Sequence, residues 1–399
     1  MNRDNLLKCF LLLLFLTSTD TPLFGTNSNT FFLYIPRVMA LLAIFVLPYM
    51  KKSKLSINKK LLTVSLIINL IIIISTIINN GAFSTMITKI LVVDAALIIV
   101  DNFTLKEFAG FFDNFMFFIS KIAIITEVIS YVFPSILSEL YIVNNTAGIP
   151  FSCFLIGSMD LTSLNSTLIR CNSIFWEPGA YAIYLIFAII NHLYICERKY
   201  NKRFYTYIFC LIITFSTTGY IVLFMLLGVH FLLKKEKMNN AYSLIFFLLA
   251  FIILPASMLF SSPDNPLYSM VFSKIENRTS TTVTRIASVV NGVEIALDNP
   301  LLGVSQGDIG SVMADYAYKS ELNLGRNSMN TNTVTALLAA YGFIIGGVFL
   351  NGYYQILKKI SPNYLTTIGL FLVILLAYCG ENFYSFMPFI WMFYGYKKE

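Results

Sequence analysis

The stretch that decides the fold is residues 203–233, RFYTYIFCLIITFSTTGYIVLFMLLGVHFLL. Arg198, Lys199, Lys202 and Arg203 precede or open it, and Lys234, Lys235 and Lys237 follow it. Cytoplasmic loops of membrane proteins collect Lys and Arg, so both ends belong on one side. A single straight helix puts Arg203 and Lys234 on opposite sides. The stretch therefore reads as two short helices that turn back at Ser216-Thr217-Thr218-Gly219. By itself that turn reads first as a simple glycine turn. Non-helical backbone at membrane depth is otherwise found where it lines a cavity.

The surrounding chain supports the same solvent. Of its 399 residues 57% are hydrophobic and 12% charged, against about 25% charged in soluble domains. No soluble fold hides that much apolar surface. The formal charge of +7 then reflects anchoring Lys and Arg rather than nucleic-acid binding. A spanning helix takes roughly 20 apolar residues. That rule places twelve spans, near 6–20, 31–50, 61–79, 84–101, 108–133, 179–196, 203–216, 217–233, 241–260, 334–357, 363–380 and 383–396. The first resembles a signal peptide, with Arg3 and Lys8 before a short Leu run, but lacks a small-residue cleavage site and is kept as a span. With twelve spans the clusters Lys51 to Lys60, Arg198 to Arg203, Lys234 to Lys237, Lys358-Lys359 and Lys397-Lys398 all share the cytoplasmic side. The expected fold class is an all-α polytopic membrane protein of about twelve transmembrane helices. Both termini lie inside, and residues 1–399 form one integral membrane domain.

Two outside loops are long, 134–178 and 261–333, and loops of such length are usually functional or disordered. In the first, apolar Ile149 to Ile156 reads as a segment returning to the membrane surface. In the second, Ile286, Val289, Val290, Val293 and Leu297 follow a helical period and predict an amphipathic helix on the outer membrane face. Six Cys are scattered without CxxC or a His at ligand spacing, so no zinc site is expected. Cys153 and Cys171 share the first loop, where a disulfide between them is one option.

Polar chemistry concentrates in these loops. Arg170, Arg278, Arg285 and Arg326 lie in them, and Arg37 lies in the outer third of the second span. Arg presents a permanently charged, planar fork of donors suited to phosphate or pyrophosphate. The competing reading is ordinary surface charge, since long loops cross regardless of charge. Glu177 precedes Pro178 at the start of a span and reads either as a helix cap or as a carboxylate that takes a proton or orients a sugar. Glu381 sits at the outer end of the last hairpin. Lys89/Asp94 and Lys121/Glu127 are ionisable groups within spans, read either as functional or as mutually neutralising pairs. Both histidines, His192 and His230, fall near cytoplasmic span ends, leaving none outside as a base. No P-loop, GxGxxG or HExxH is present.

Three elements carry a resemblance. Arg170 to Ala182 is similar to an Arg-x-x-x-x-Phe-x-x-Pro-x-x-x-Ala pattern opening a span. The short helix pair turns at Ser216 to Gly219. Arg285 is followed by Asn299-Pro300-Leu301-Leu302-Gly303-Val304-Ser305-Gln306-Gly307, with Asn330-Thr331-Asn332 and Tyr341-Gly342 downstream. In order and sidedness they resemble the Wzy-type O-antigen polymerase and ligase superfamily of GT-C membrane glycosyltransferases. That resemblance implies a multi-pass enzyme of the bacterial inner membrane, active at the periplasmic face. It would join undecaprenyl-pyrophosphate-linked repeat units into surface polysaccharide and release undecaprenyl pyrophosphate. It needs no cofactor and no metal, and works beside a flippase and a chain-length regulator. Arg285, Arg170 and Glu177 become the expected catalytic residues. Arg278, Arg326, Arg37, Glu381 and Asn332 become substrate contacts. The pattern departs from the ligase branch in lacking a His before Asn330, in Ser305 where a second Gly is usual, and in a turn without Arg. These departures favour polymerase over ligase. A lipid-linked oligosaccharide flippase is the alternative from another class, and it predicts repeat symmetry that the sequence lacks.

Overall fold

The computed structural model describes residues 3–51, 57–146, 148–163, 169–233, 280–319, 331–361, 363–383 and 385–398. Its helices are α1 Arg3–Thr17, α2 Thr30–Lys51, α3 Lys59–Ile78, α4 Phe83–Asn102, α5 Leu105–Val132, α6 Pro134–Glu139, α7 Pro178–Ile190, α8 Lys202–Ile213, α9 Thr217–Leu233, α10 Ser280–Asp298, α11 Ile309–Lys319, α12 Thr333–Ile360, α13 Tyr364–Tyr378 and α14 Met387–Tyr396. A π-helical turn, Asn191–Ile195, extends α7. Local chemistry sets many of these starts. Asn58, Asn201, Asn332 and Asn363 cap α3, α8, α12 and α13 with their side chains, and Thr104 with Glu107 forms a capping box on α5.

The protein is a mostly helical polytopic membrane protein, but the expectation of twelve full spans needs correction. The span at 241–260 lies outside the described residues. Among the described residues, six helices are long and apolar enough to cross a membrane: α2, α3, α4, α5, α7 with its π turn, and α12. α1, α9 and α13 are apolar but shorter, and α8 and α14 have 12 and 10 residues. All fall below the roughly 20 residues a crossing takes. The 203–233 stretch does break in two. Phe215 adopts a left-handed φ of 47°, and Ser216 Oγ accepts from the Gly219 amide at 3.2 Å. Phe31, Phe45, Leu66, Leu70 and Ile78 stay exposed along α2 and α3, a surface that matches lipid rather than water.

The first long loop corrects the all-α expectation. It holds a three-stranded antiparallel sheet, β1 Tyr141–Asn144, β2 Pro150–Phe154 and β3 Gly157–Asp160. Within apolar 149–156, Pro150–Phe154 is a strand with Phe151 and Cys153 buried, and Leu155 in the following turn is exposed. Cys153 and Cys171 carry free thiols. The sheet folds over the α1–α2 connection, where Thr146 N donates to Thr26 O at 2.6 Å and Ser28 N to Asn144 O at 2.9 Å.

The second loop contains the expected helix as α10. Ala287, Ser288, Asn291, Ile295 and Ala296 are buried, against α12. Ile286, Val293 and Leu297 point outward. Small residues permit the close approach, as at Gly292, where a Cβ would meet Thr335 Cβ at 2.8 Å.

α12 is two half-helices. Gly342 breaks it with φ 76° and ψ −176°, and segment 299–307 fills the gap. Val304 N donates to Ala339 O at 2.9 Å, Ser305 N to Ala340 O at 3.0 Å, and Phe343 N to Pro300 O at 2.8 Å. Ser75 Oγ and Asn79 Nδ2, on the α3 side, add bonds to Ala340 O and Gly303 O at 3.2 Å each. Backbone groups freed by a helix break need such partners where no water reaches them.

The two ends of the bundle differ chemically. At one end Lys51 pairs with Glu107 at 2.9 Å. There Lys397 Nζ donates to the carbonyls of Val100, Asp101 and Phe103, and Lys359 Nζ to that of Tyr394. Toward that end, Asp113 is fully buried. It accepts from Arg198, Arg203 and Tyr207 and lies 3.0 Å from His192 Nδ1. His230 contacts Tyr200 and Tyr194. For the ionisable groups within spans, the structure gives these contacts among the described residues. Asp94 accepts from Ser65 and Asn69, Lys89 lies over Phe389 and Lys121 over Phe117, and Glu127 is buried beside Cys171. Breaking a buried charge pair costs about 3–5 kcal/mol. Because Arg198 and Arg203 partly reach solvent, Asp113→Ala is expected to cost less, about 2–4 kcal/mol. Thermal unfolding in detergent reads this, and an unchanged Tm would show that both guanidiniums are adequately solvated alone.

Candidate functional site

The opposite end gathers Glu177, Glu381, Arg285 and Arg170. Glu177 stands at the N-cap position of α7 in extended backbone, φ −156° and ψ 152°, yet its side chain caps nothing. Pro178 at the first helical position has no amide to satisfy. The carboxylate faces Arg285 in α10 instead, with Glu177 Oε1 4.0 Å from Arg285 Nη2. Glu381, in the turn between α13 and α14, lies closer, its Oε1 3.6 Å from the same Nη2. Arg285 Nη1 donates to Thr218 Oγ1 at the start of α9. Arg170 Nε donates to Thr214 O at the end of α8, 3.3 Å away, and Arg170 feels the charges of Glu177, Arg285 and Glu381.

The neighbours explain how this is held. Gly179 leaves room for both acids: a Cβ there would meet Glu381 Oε1 at 2.5 Å and Glu177 Oε1 at 3.0 Å. Thr333, at the start of α12, donates to Glu381 O at 2.7 Å and accepts from Phe383 N at 3.1 Å. Asn332 caps the same half-helix through Val334 N and Thr335 N, and its Nδ2 reaches Cys379 Sγ at 3.2 Å. Asn332 is therefore spent on fixing α12. Arg278 and Arg326 lie outside the described residues. Arg37 lies apart from the carboxylates, 4.9 Å over the Tyr34 ring, on the wall of a cavity of about 530 Å³. Thr218, Gly179 and Thr333 are additions that no sequence motif marks as contacts. The turn at 216–219 carried the only signal, a polar break at half-helix depth.

The acids are not equivalent. The Glu177 side chain is 42% exposed and that of Glu381 7%. Burial first, then the adjacent Glu177, holds the Glu381 carboxyl well above the usual carboxylate range, with Arg285 and Arg170 pulling it back. Its buried Oε1 makes no hydrogen bond among the described residues. A raised folded-state pKa gives a stability contribution that is complete below the ordinary value of 4.5. That contribution is lost as pH rises toward the folded value. Glu381→Gln is therefore expected to melt at or above the wild-type temperature at neutral pH, with the gap closing as pH falls. A variant less stable than wild type at neutral pH would show that the Arg285 pairing outweighs burial.

The geometry defines the class: a polytopic membrane protein with two arginines and two acids clustered at one end of its bundle, beside a broken helix. Residues 204–350 match the model of the Wzy_C family, described as O-antigen ligase. Over that part of its length the chain is similar to the Wzy_C domain of O-antigen ligases. No curated protein matches the chain. The match takes in Thr218, Arg285 and 299–307, while Arg170, Glu177 and Glu381 lie outside it.

Proposed function

We propose that this protein is the polymerase of its family, joining undecaprenyl-pyrophosphate-linked repeat units at the periplasmic face of the inner membrane. The observation that carries this reading is a buried carboxylate, Glu381, held 3.6 Å from Arg285 at the end of the bundle where Arg170 and Glu177 also gather. In the step, an acceptor sugar hydroxyl attacks the anomeric carbon of the donor glycan. The bond from that carbon to the pyrophosphate oxygen breaks, and undecaprenyl pyrophosphate leaves with the electron pair. Arg285 and Arg170 neutralise its charge, at a site where low dielectric strengthens such contacts. Glu381 takes the hydroxyl proton in its ionised form, which the charges of Arg285 and Arg170 favour. The more exposed Glu177 holds Arg285 in place. This reverses the order expected from sequence, where Glu177 stood first. The choice of polymerase over ligase rests on the histidines, since both in the chain are placed toward the opposite end, by Asp113 and Tyr200.

The test is polymer formation by the purified protein in liposomes, supplied with undecaprenyl-pyrophosphate repeat units. A ladder of products is the expected result. Transfer of one preformed chain to a lipid A core acceptor, without a ladder, would overturn the polymerase assignment in favour of the ligase.

A further inference from the structure

The cavity of about 530 Å³ lies beside the carboxylates but is built mostly from other parts of the chain. Its walls come from the α1–α2 connection, α2, α4 and the first long loop, with Trp176 and Asn382 at the carboxylate side. Only Gln306, Gly307 and Ile309 belong to the Wzy_C match. Trp176 directly precedes Glu177 in the chain. Asn382 likewise follows Glu381. The arginines Arg170 and Arg285 do not line the cavity. The cavity thus adjoins the two acids through their chain neighbours, and neither arginine lines it.

A displacement needs a place for the nucleophile beside the base and apart from the cations that take the leaving group, and a cavity next to the acids without the arginines in its lining offers one. We propose, resting on the glycosyl-transfer reading above, that the cavity is the acceptor subsite and holds the sugar whose hydroxyl attacks, with Asp20 and Arg37 as specificity-determining residues. The volume falls within the range of small-molecule sites, roughly 300–1,000 Å³. The lining pairs polar Asp20, Arg37, Thr26, Thr85 and Gln306 with the ring of Trp176, and sugars present hydroxyl edges and an apolar face to such partners. Asp20 Oδ2 is covered and accepts no hydrogen bond among the described residues, a cost that a fixed ligand hydroxyl offsets. Unlike Arg285, Arg37 has no carboxylate within ion-pair distance among the described residues. Repeat-unit selectivity then resides in the N-terminal hairpin and first loop, outside the matched domain.

Trp176 supplies a direct readout. The chain has two tryptophans. Trp391 is 1% exposed in the core, and its Nε1 makes no hydrogen bond among the described residues, so Trp391→Phe loses packing but no bond seen there. In that background, repeat-unit oligosaccharide released from its lipid is titrated against Trp176 fluorescence. A saturable change is expected, weakened tenfold or more by Asp20→Asn and by Arg37→Gln, each checked for unchanged Tm. In the ladder assay both substitutions are expected to raise acceptor KM by a similar factor with kcat within twofold. Unchanged affinity in both substituted proteins relative to the Trp391→Phe background, or no saturable signal, overturns the subsite. Saturable binding with the expected losses, in protein that forms no ladder, supports the subsite and removes the polymerase reading instead.

Discussion

Arg285→Ala is expected to lower the rate of polymer formation by 10²- to 10³-fold while leaving the protein folded. Arg285 is the residue on which the site converges, with Glu381 and Glu177 at its Nη2 and Thr218 at its Nη1. Removing one preorganised donor from a developing negative charge typically costs about 10²–10³ in kcat. The side chain is 27% exposed, so truncation opens little core. Glu381, left without its nearest cation, is free to take a proton rather than remain a buried charge. Arg285→Lys keeps the charge but not the planar fork, and a point charge cannot serve Thr218 and the acids together. It is expected to retain partial activity, about a tenth or less. Single-turnover assays on preloaded donor separate this from weaker binding. A fall confined to donor KM, with kcat unchanged, would assign Arg285 to ground-state binding alone.

Gly303→Ala is expected to cost at least about 3 kcal/mol and to reduce the yield of folded protein sharply. Gly303 has φ +61°, and a Cβ there would fall inside the backbone of Ala339, Ala340 and Tyr341. Left-handed backbone costs a residue with a Cβ about 1–2 kcal/mol, and the overlap adds to it because a helix backbone cannot step aside. Gly342 is its counterpart, at φ +76° with a Cβ position 2.6 Å from Pro300 O. Gly347, in the same α12, is the control, since nothing lies within 4 Å of a Cβ there. Gly347→Ala is expected to be neutral or slightly stabilising, as Ala exceeds Gly in helix propensity by up to about 1 kcal/mol. Thermal unfolding and size-exclusion profiles in detergent compare the pair. Equal behaviour of the two variants would mean that segment 299–307 does not hold the break in α12. Because α10 runs directly into that segment, Gly303→Ala is also expected to displace Arg285 and abolish activity.

The sequence by itself determined the solvent, the helical class and the turn in 203–233, because apolar run length and Lys/Arg placement are local signals that a bilayer imposes on any chain. It also marked Arg170, Arg285, Glu177 and Glu381, since charge is rare here and each sits at a helix end or in a long loop. It overcounted full spans because a half-helix and a whole one share composition and differ only in where the backbone stops. It missed the sheet in the first loop, since short strands such as β2 are formed by pairing with their neighbours.

Only the tertiary structure decided what those residues meet. Segment 299–307, prominent in the sequence, supplies backbone partners for a broken helix, and its glycine is there for close approach. Asn332 is a cap. Thr218 is a partner of Arg285, and Gly179 is the space that two acids occupy. The order of Glu381 and Glu177 was decided by burial, 7% against 42% exposed. Burial depends on helices far apart in the chain packing around one turn, and no neighbour in the sequence records it.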